Sequence, residues 1–132
     1  MRKHGIVHPE LARVLAELGH GDQICIADVG LPVPPGVLRI DLAYRLGAPP
    51  FLDVVAAIAA EVVIERMAVA DEALEVSPDV VAGLRQLFPG VPLDTVTHEQ
   101  FKIATRRARV IIRTGETTPY ANVLLTSGVP FG

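Results

Sequence analysis

The sequence predicts an α/β fold, with one domain over residues 1–132 and a mostly parallel central sheet flanked by helices. Three observations lead to this prediction. Helical and extended patterns alternate along the chain, which favours strands joined by helical crossovers. A length of 132 residues is typical of a single domain. Hydrophobic residues make up 50% of the chain and the mean hydropathy is +0.40, so the chain can bury a sizeable core.

The amino-terminal part of the chain predicts a helix, a strand and an ordered loop. The helix covers residues 9–18, with apolar residues at helical spacing, a proline in its first turn and a glycine after its end. A buried strand over residues 23–28 follows, because Ile24 and Ile26 are branched at Cβ and lie in an apolar run. Residues 29–36 contain three prolines, which exclude regular helix and predict a loop of low flexibility.

The central part of the chain repeats this alternation. A second helix starts near Pro50 and carries apolar residues as far as Val62, and extended structure covers residues 64–70. Ser77 precedes a proline as the expected N-cap of a third helix, which a Pro-Gly pair ends at residues 89–90. These signals predict further strand and helix layers of the same domain.

The carboxyl-terminal part predicts three strands and one capped helix. Thr97 and Gln100 fit a capping box, so a helix begins at the residue after Thr97. Short apolar runs predict the strands, which cover residues 93–96, 110–112 and 123–125. The last two strands are separated by a loop at residues 115–119.

Composition argues against several classes of partner. The formal net charge is −3, from 12 basic and 15 acidic side chains, which does not suit a general polyanion partner. Four arginines between residues 106 and 113 are typical of a solvated helix end, and a phosphate-bearing ligand is the alternative. Aromatic residues are only 5% of the chain, so we expect no nucleic-acid partner. No apolar stretch reaches the roughly 18 residues of a membrane-spanning helix, so we expect no membrane partner.

Location and assembly also follow from composition. The first residues lack the apolar core of a signal peptide, and the single Cys25 suits a reducing compartment, so we expect a cytoplasmic protein. The hydropathy is high for a small soluble monomer, because small proteins need more polar cover. We therefore expect part of the apolar surface to contact other copies of the chain.

The most informative candidate residues are His20 and Asp28, which bracket the first predicted strand. An extended segment of this length separates its ends by roughly 25 Å, so the two side chains cannot touch within one subunit. Either they serve different sites, or one site is assembled from two copies of the chain. Taken alone, His20 also suits a turn residue and Asp28 a loop cap.

Four further candidates form two pairs. His98 and Lys102 lie one turn apart on the same side of the predicted helix, although either also suits a solvated surface position. Tyr120 and Asn122 alternate across one residue, so on a strand both would point the same way, toward one ligand or toward solvent. None of these signals is specific alone.

Several familiar chemistries find no matching pattern. His4 and His8 are spaced for a metal but lack a third ligand, so we expect no metal site. Glycine-rich phosphate loops, dinucleotide fingerprints and nucleophile elbows are also missing. The remaining candidates are histidines, an aspartate, a lysine, a tyrosine and an amide. Such groups move protons and form hydrogen bonds with a polyhydroxy ligand.

Five segments, in this order along nearly the whole chain, resemble the D-ribose pyranase family. The L-fucose mutarotases, a sister family, share the first and last of them, whereas the middle segments are similar to the ribose type. The segments are Gly-His-Gly-Asp at 19–22, Asp-Val-Gly-Leu-Pro-Val-Pro at 28–34, Arg-Ile-Asp at 39–41, Thr-His-Glu-Gln-Phe-Lys at 97–102, and Arg-Thr-Gly-Glu at 113–116 with Pro-Tyr-Ala-Asn at 119–122.

The resemblance implies a sugar isomerase that converts β-D-ribopyranose to β-D-ribofuranose, the form that a ribokinase phosphorylates, without a cofactor. It implies that His20 is the proton donor and that the sugar is bound by Asp28, His98, Tyr120 and Asn122. We add Lys102 as a further hydroxyl donor.

The resemblance also implies rings of subunits, often two stacked pentamers that form a decamer, with sites between subunits. A fucose-type mutarotase that exchanges anomers and a non-catalytic monosaccharide-binding module are the alternatives to the isomerase.

Overall fold

The computed structural model describes residues 1–132 and contains six strands, five α-helices and one short 3-10 helix. The strands are β1 (Gln23–Ala27), β2 (Leu38–Asp41), β3 (Ile64–Ala70), β4 (Leu93–Val96), β5 (Val110–Arg113) and β6 (Val123–Ser127). The α-helices are α1 (Pro9–Glu17), α2 (Phe51–Ala59), α3 (Asp71–Val76), α4 (Pro78–Leu87) and α5 (His98–Ala104), and the 3-10 helix Thr105–Arg107 follows α5. None of the helices has both the length and the apolar composition of a membrane-spanning segment.

All six strands form one sheet in the order β2-β5-β1-β6-β3-β4. β6 is antiparallel to both of its neighbours, and the other three pairs are parallel. The predicted mostly parallel α/β sheet is therefore confirmed. Five strands end at one edge of the sheet, which we call the carboxyl edge, and β6 begins there. Segments that follow β1 and β4 therefore lie at the same edge as the segment that precedes β6.

The sheet is covered on both faces, but unequally. Ile24 and Ile26 point to a core of 22 buried residues, to which α1, α2 and α4 also contribute. Cys25 and Ala27 alternate with them and point to a core of only 7 buried residues, which includes Phe101 of α5. The small second core means that α5 is held on its face of the sheet by few apolar contacts, so polar contacts at its ends matter for its position.

The predicted elements are present with boundaries shifted by a few residues, and two elements were missed. α2 ends before Val62, and Ser77 precedes α4 without a side-chain capping bond. The missed strand β2 is a four-residue edge strand in which only Ile40 is buried, so it shows no hydrophobic pattern. The missed helix α3 has six residues and a single buried side chain, Ala73, so its helical periodicity is too short to recognise.

Candidate active site

A cavity of about 250 Å³ lies at the carboxyl edge of the sheet. Pockets for drug-sized ligands span about 300–1,000 Å³, so this cavity suits a smaller molecule. Three of the predicted site residues meet in it, although they come from separate parts of the chain. Its lining residues are Asp28, Gly30, Leu31, Pro32, His98, Pro119 and Tyr120.

Asp28 is held in place by Asn122, which is 1% exposed. The Asn122 Oδ1 atom accepts the backbone N–H of Asp28 at 2.8 Å, and its Nδ2 atom donates to Asp28 Oδ2 at 3.1 Å. The other carboxylate oxygen of Asp28 accepts the N–H of Gly30 at 2.9 Å. Asn122 does not line the cavity, and both ends of its amide are used to orient the carboxylate that does.

Tyr120 and Asn122 do not alternate on a strand, so the structural premise for pairing them is wrong. β6 begins only at Val123, and Tyr120 has a φ of 61°, a left-handed conformation that few non-glycine residues adopt. The N–H of Asn122 donates to the carbonyl oxygen of Tyr120 at 2.9 Å, which closes a tight turn. This turn directs the Tyr120 ring into the cavity and leaves Asn122 behind Asp28.

His98 is the first residue of α5, and two sets of polar contacts fix its position. The predicted capping box is present, with Thr97 and Gln100 bonded reciprocally. The backbone N–H of His98 also donates to the carboxylate of Glu72, at 3.1 and 3.2 Å to the two oxygens. The ring meets that of Tyr120 edge-on, with centroids 5.0 Å apart. His98 is therefore held at its backbone and at its ring.

The two ring nitrogens of His98 differ in their surroundings. Nδ1 is buried without a hydrogen-bond partner, whereas Nε2 is not among the buried unpartnered atoms. A buried N–H without an acceptor is unfavourable, so a proton on Nδ1 would be more costly than one on Nε2. Nε2 is thus the nitrogen suited to donate to a ligand in the cavity.

Lys102 lies beside a second cavity of about 360 Å³, which shares only Pro32 with the first. Its Nζ atom is 2.8 Å from a carboxylate oxygen of Glu99, and this contact lowers the pKa of Glu99. The predicted spacing of one helical turn is present, but Lys102 does not join His98 at the first cavity. Its role as a hydroxyl donor stays a prediction.

His20 lies at the opposite edge of the sheet, in the turn that precedes β1. The turn is fixed by the N–H of Gly19, which donates to Asp22 Oδ2 at 2.8 Å, and by the N–H of Gly21, which donates to the carbonyl of Ser127 at 2.8 Å. The His20 side chain is 59% exposed. Since the length of β1 separates His20 from Asp28, one chain does not bring these residues together.

The predicted arginine cluster divides between several places. Arg109 pairs with Asp22 near the His20 turn, and Arg113 bonds Asp41 and the carbonyl of Val29. Arg106 lies in the 3-10 helix and lines the second cavity. The cluster therefore fastens loops at both edges of the sheet, and only part of it is a solvated helix end.

Three glutamates near these sites were missed by sequence reasoning. Glu65 Oε2 lies 2.9 Å from His20 Nε2, and Glu72 holds the start of α5 as described above. Glu116 accepts the N–H of Phe51 at 2.9 Å, which joins its loop to the start of α2. Burial raises the pKa of Glu116, but the donors of Phe51 and Thr118 outweigh it, so the pKa lies below its usual value. A local signal was available for Glu72 and Glu116, which closely follow buried strands, but not for Glu65.

Comparison with known proteins identifies the family to which this chain belongs. A model of the RbsD / FucU transport protein family matches residues 1–130, so the chain belongs to this family. The resemblance to the D-ribose pyranase family is thereby confirmed. A protein of Bacillus licheniformis named D-ribose pyranase is 51% identical over 131 residues, which cover 99% of this chain and 100% of that one. Another D-ribose pyranase, from Exiguobacterium sibiricum, is 50% identical over the same shares of both chains.

Solved structures show the same fold. Bacillus subtilis RbsD complexed with D-ribose has a TM-score of 0.95 and 46% identity, with coverage of 99% of this chain and 100% of that one. The fucose mutarotase of Streptococcus pneumoniae, solved with L-fucose, has a TM-score of 0.83 and 24% identity, covering 98% and 100%. At that identity the second structure shows a common fold alone.

Proposed function

We propose that this protein is a D-ribose pyranase that interconverts β-D-ribopyranose and β-D-ribofuranose. The observation that carries the proposal is full-length similarity to proteins named D-ribose pyranase. Among the solved structures, the sequence identity to RbsD is about twice the identity to the fucose mutarotase. The small cavity supports a monosaccharide ligand, because a carboxylate, an imidazole and a phenol are among the groups that line a space of about 250 Å³. The furanose product is the form that a ribokinase uses.

The reaction requires only proton transfers. The anomeric hydroxyl loses its proton while the ring oxygen gains one, so the bond from C1 to the ring oxygen breaks and the open-chain aldehyde forms. The 4-hydroxyl then attacks C1 and loses its proton, and the aldehyde oxygen gains one, which closes the five-membered ring. No atom changes its oxidation state overall and no group leaves, so positioned acids and bases are sufficient.

The candidate residues divide these tasks. His20 is the proton donor, since an imidazole can both donate and accept protons near neutral pH. Asp28 accepts hydrogen bonds from sugar hydroxyls, and His98 and Tyr120, which line the same cavity, donate to the sugar. Asn122 contributes to binding through its hold on Asp28. Lys102 is retained as an outer contact, reached from the second cavity.

A complete site needs two copies of the chain in this proposal. His20 of one subunit would face the cavity of its neighbour, because the two features lie at opposite edges of one sheet. Exposed apolar side chains, among them Tyr44, Leu46 and Ile103, provide surface for contacts between subunits, which we propose form two stacked pentamers, a decamer. The buried, unpaired Cys25 suits the reducing cytoplasm, where we place the enzyme.

The test is NMR magnetisation transfer between the pyranose and furanose anomeric protons of D-ribose, with wild-type protein and His20→Ala. We expect the wild type to speed the exchange and the variant to lose about 10²- to 10⁴-fold in turnover, since positioned proton transfer contributes that much. Ribose affinity should change little, because a proton donor acts mainly in the transition state. His4→Ala, in the exposed amino-terminal segment, is the matched control.

Two results contradict the proposal. Unchanged ribose exchange with wild-type protein and faster exchange of L-fucose anomers would indicate a mutarotase. Binding of ribose without faster exchange of either sugar would indicate a binding module.

A further inference from the structure

We propose that Glu65 is the positioning residue for His20, so that Nδ1 is the ring nitrogen that exchanges protons with the sugar. The inference rests on the proposed function, because it assigns His20 the proton transfers. Glu65 itself does not touch the sugar in this proposal. It acts by holding the imidazole in one orientation and one tautomer.

The contact is a direct hydrogen bond across 45 residues of sequence. His20 Nε2 and Glu65 Oε2 are 2.9 Å apart, and the side chains are 59% and 45% exposed. A carboxylate oxygen only accepts hydrogen bonds, so Nε2 carries the ring proton and donates a hydrogen bond to Glu65. The neutral ring then has its lone pair on Nδ1, which faces away from Glu65, so Nδ1 first accepts a proton from the sugar and then donates one as the imidazolium. A ring held in this way presents one defined nitrogen to a ligand.

A β-bulge in β3 sets the direction of the Glu65 side chain. Ile64 pairs with Ser127 and Arg66 pairs with Thr126, so the register shifts and Glu65 is the extra residue of a β-bulge. The alternation of burial is interrupted at the same point, because Glu65 and Arg66 are both exposed. Bulges re-aim side chains and are common beside active sites. The bulge thus turns the Glu65 carboxylate toward the His20 turn.

Gly128, which follows β6, provides the space for this arrangement. A Cβ atom at Gly128 would lie 3.3 Å from the Cβ of Glu65, 3.6 Å from its Oε2 and 3.2 Å from Val63 Cγ1. The preceding residue, Ser127, accepts the N–H of Gly21 at 2.8 Å, which anchors the His20 turn. Both members of the pair are therefore placed against the same end of β6, so their separation is set by the sheet.

The kinetic test compares Glu65→Ala and Glu65→Gln with Asp94→Ala. Asp94 is a matched control, since it is another partly exposed carboxylate bonded to β3, through Arg66. We expect Glu65→Ala to lower turnover in the ribose exchange assay by about tenfold, less than the roughly 100-fold or larger contribution of the proton transfer itself. Ribose affinity should stay within about twofold, because the sugar's contacts are unchanged. Glu65→Gln keeps an acceptor oxygen and should recover most of the turnover.

The second readout is the tautomer of His20, from nitrogen NMR of protein labelled with ¹⁵N-histidine. His20→Ala identifies the His20 signals. We expect Nε2 to be protonated in the neutral wild-type ring, and Glu65→Ala to shift His20 toward a mixture of tautomers. This readout does not depend on activity, so it tests the pair even if wild-type protein fails to speed ribose exchange and the proposed function falls.

Three results overturn the inference. The first is unchanged turnover in Glu65→Ala while the wild type is active. The second is an equal loss of turnover and ribose affinity, which would make Glu65 a binding or structural residue. The third is a wild-type His20 protonated at Nδ1.

Discussion

The polar residues of the candidate site are held in place by contacts within the chain. Both ends of the Asn122 amide form hydrogen bonds with Asp28, and Asp28 still lines the cavity. His98 is held through its backbone by Glu72 and through its ring by Tyr120. Groups fixed in this way lose little conformational entropy when a sugar binds, which favours affinity for a small ligand.

The two nitrogens of His98 lead to a prediction with a matched pair of variants. The amide nitrogen of glutamine lies close to the position of Nε2, and that of asparagine close to the position of Nδ1. Since Nδ1 is buried and Nε2 is suited to donate, His98→Gln should bind ribose more tightly than His98→Asn. A lost hydrogen bond of about 0.5–1.5 kcal/mol corresponds to roughly a 2- to 10-fold difference in Kd.

Titration calorimetry with D-ribose checks this prediction. Both variants lose the edge-on contact with Tyr120, so each is the control for the other and the difference reports the donor position. Tighter binding by His98→Asn would show that Nδ1 is the donor instead.

At the scale of elements, a side-chain hydrogen bond helps to fasten a loop at the carboxyl edge to a helix. The loop between β5 and β6 is attached through Glu116 to the start of α2, where the N–H of Phe51 is free of an intrahelical partner. Beside it, a Cβ on Gly115 would lie 2.3 Å from the carbonyl oxygen of Ala48, so only glycine permits the two segments to pack. This loop leads into Pro119 and Tyr120, which places the Tyr120 ring.

The lowered pKa of Glu116 predicts how stability depends on pH. A carboxyl group with a depressed pKa in the folded state stabilises that state above its unfolded pKa of about 4.3, and the stabilisation is lost as the pH falls through the folded pKa. Glu116→Gln should therefore lower the free energy of unfolding at pH 7 by about 1 kcal/mol, with allowance for solvent screening. The difference from wild type should shrink as the pH falls below about 4.

Urea unfolding at pH 7 and pH 3, at one fixed protein concentration, measures this dependence. Glu75→Gln, at an exposed position of α3, is the control and should show no such difference. A difference between Glu116→Gln and wild type that is equal at both pH values would contradict the prediction.

At the scale of the whole molecule, the sheet separates the proposed catalytic group from the cavity. His20 precedes β1 at one edge, and Asp28 follows β1 at the other. A contact between unlike surfaces of two subunits can unite these edges, and repetition of such a contact around a ring closes the assembly. Catalysis would then require the assembly of at least two subunits.

Mixed assemblies test this arrangement. His20→Ala and Asp28→Asn subunits should each be nearly inactive alone, whereas co-assembly places an intact His20 beside an intact Asp28 at about a quarter of the contacts. We expect the mixture to be clearly more active in ribose exchange than either variant. Native mass spectrometry confirms that hybrids form.

The control mixture contains His20→Ala subunits and subunits that carry both substitutions. It has no intact His20 and should stay inactive. Hybrids of the two single variants that show no recovered activity would show that His20 and Asp28 do not form one site between two subunits.

Features that depend on neighbouring residues were predictable from the sequence. The capping box at Thr97, the buried strand β1 and the strand over Ile64–Ala70 follow from patterns within a few neighbouring residues, and the structure contains all three. The family was also recognisable, because its motifs are short contiguous segments whose order survives in the chain. The elements β2 and α3 were missed because they are short and lack a local hydrophobic pattern.

The contacts between distant residues became visible only in the folded chain. The pairing of His20 with Glu65, the contact of Asp28 with Asn122 and the hold of Glu72 on His98 join residues 26 to 94 positions apart. The order and register of the strands set these contacts, and no local pattern contains that information. The positions of Tyr120 and Asn122 also required the structure. Tyr120 has a left-handed φ in the turn before β6 and lines the cavity, whereas the Asn122 side chain lies behind Asp28.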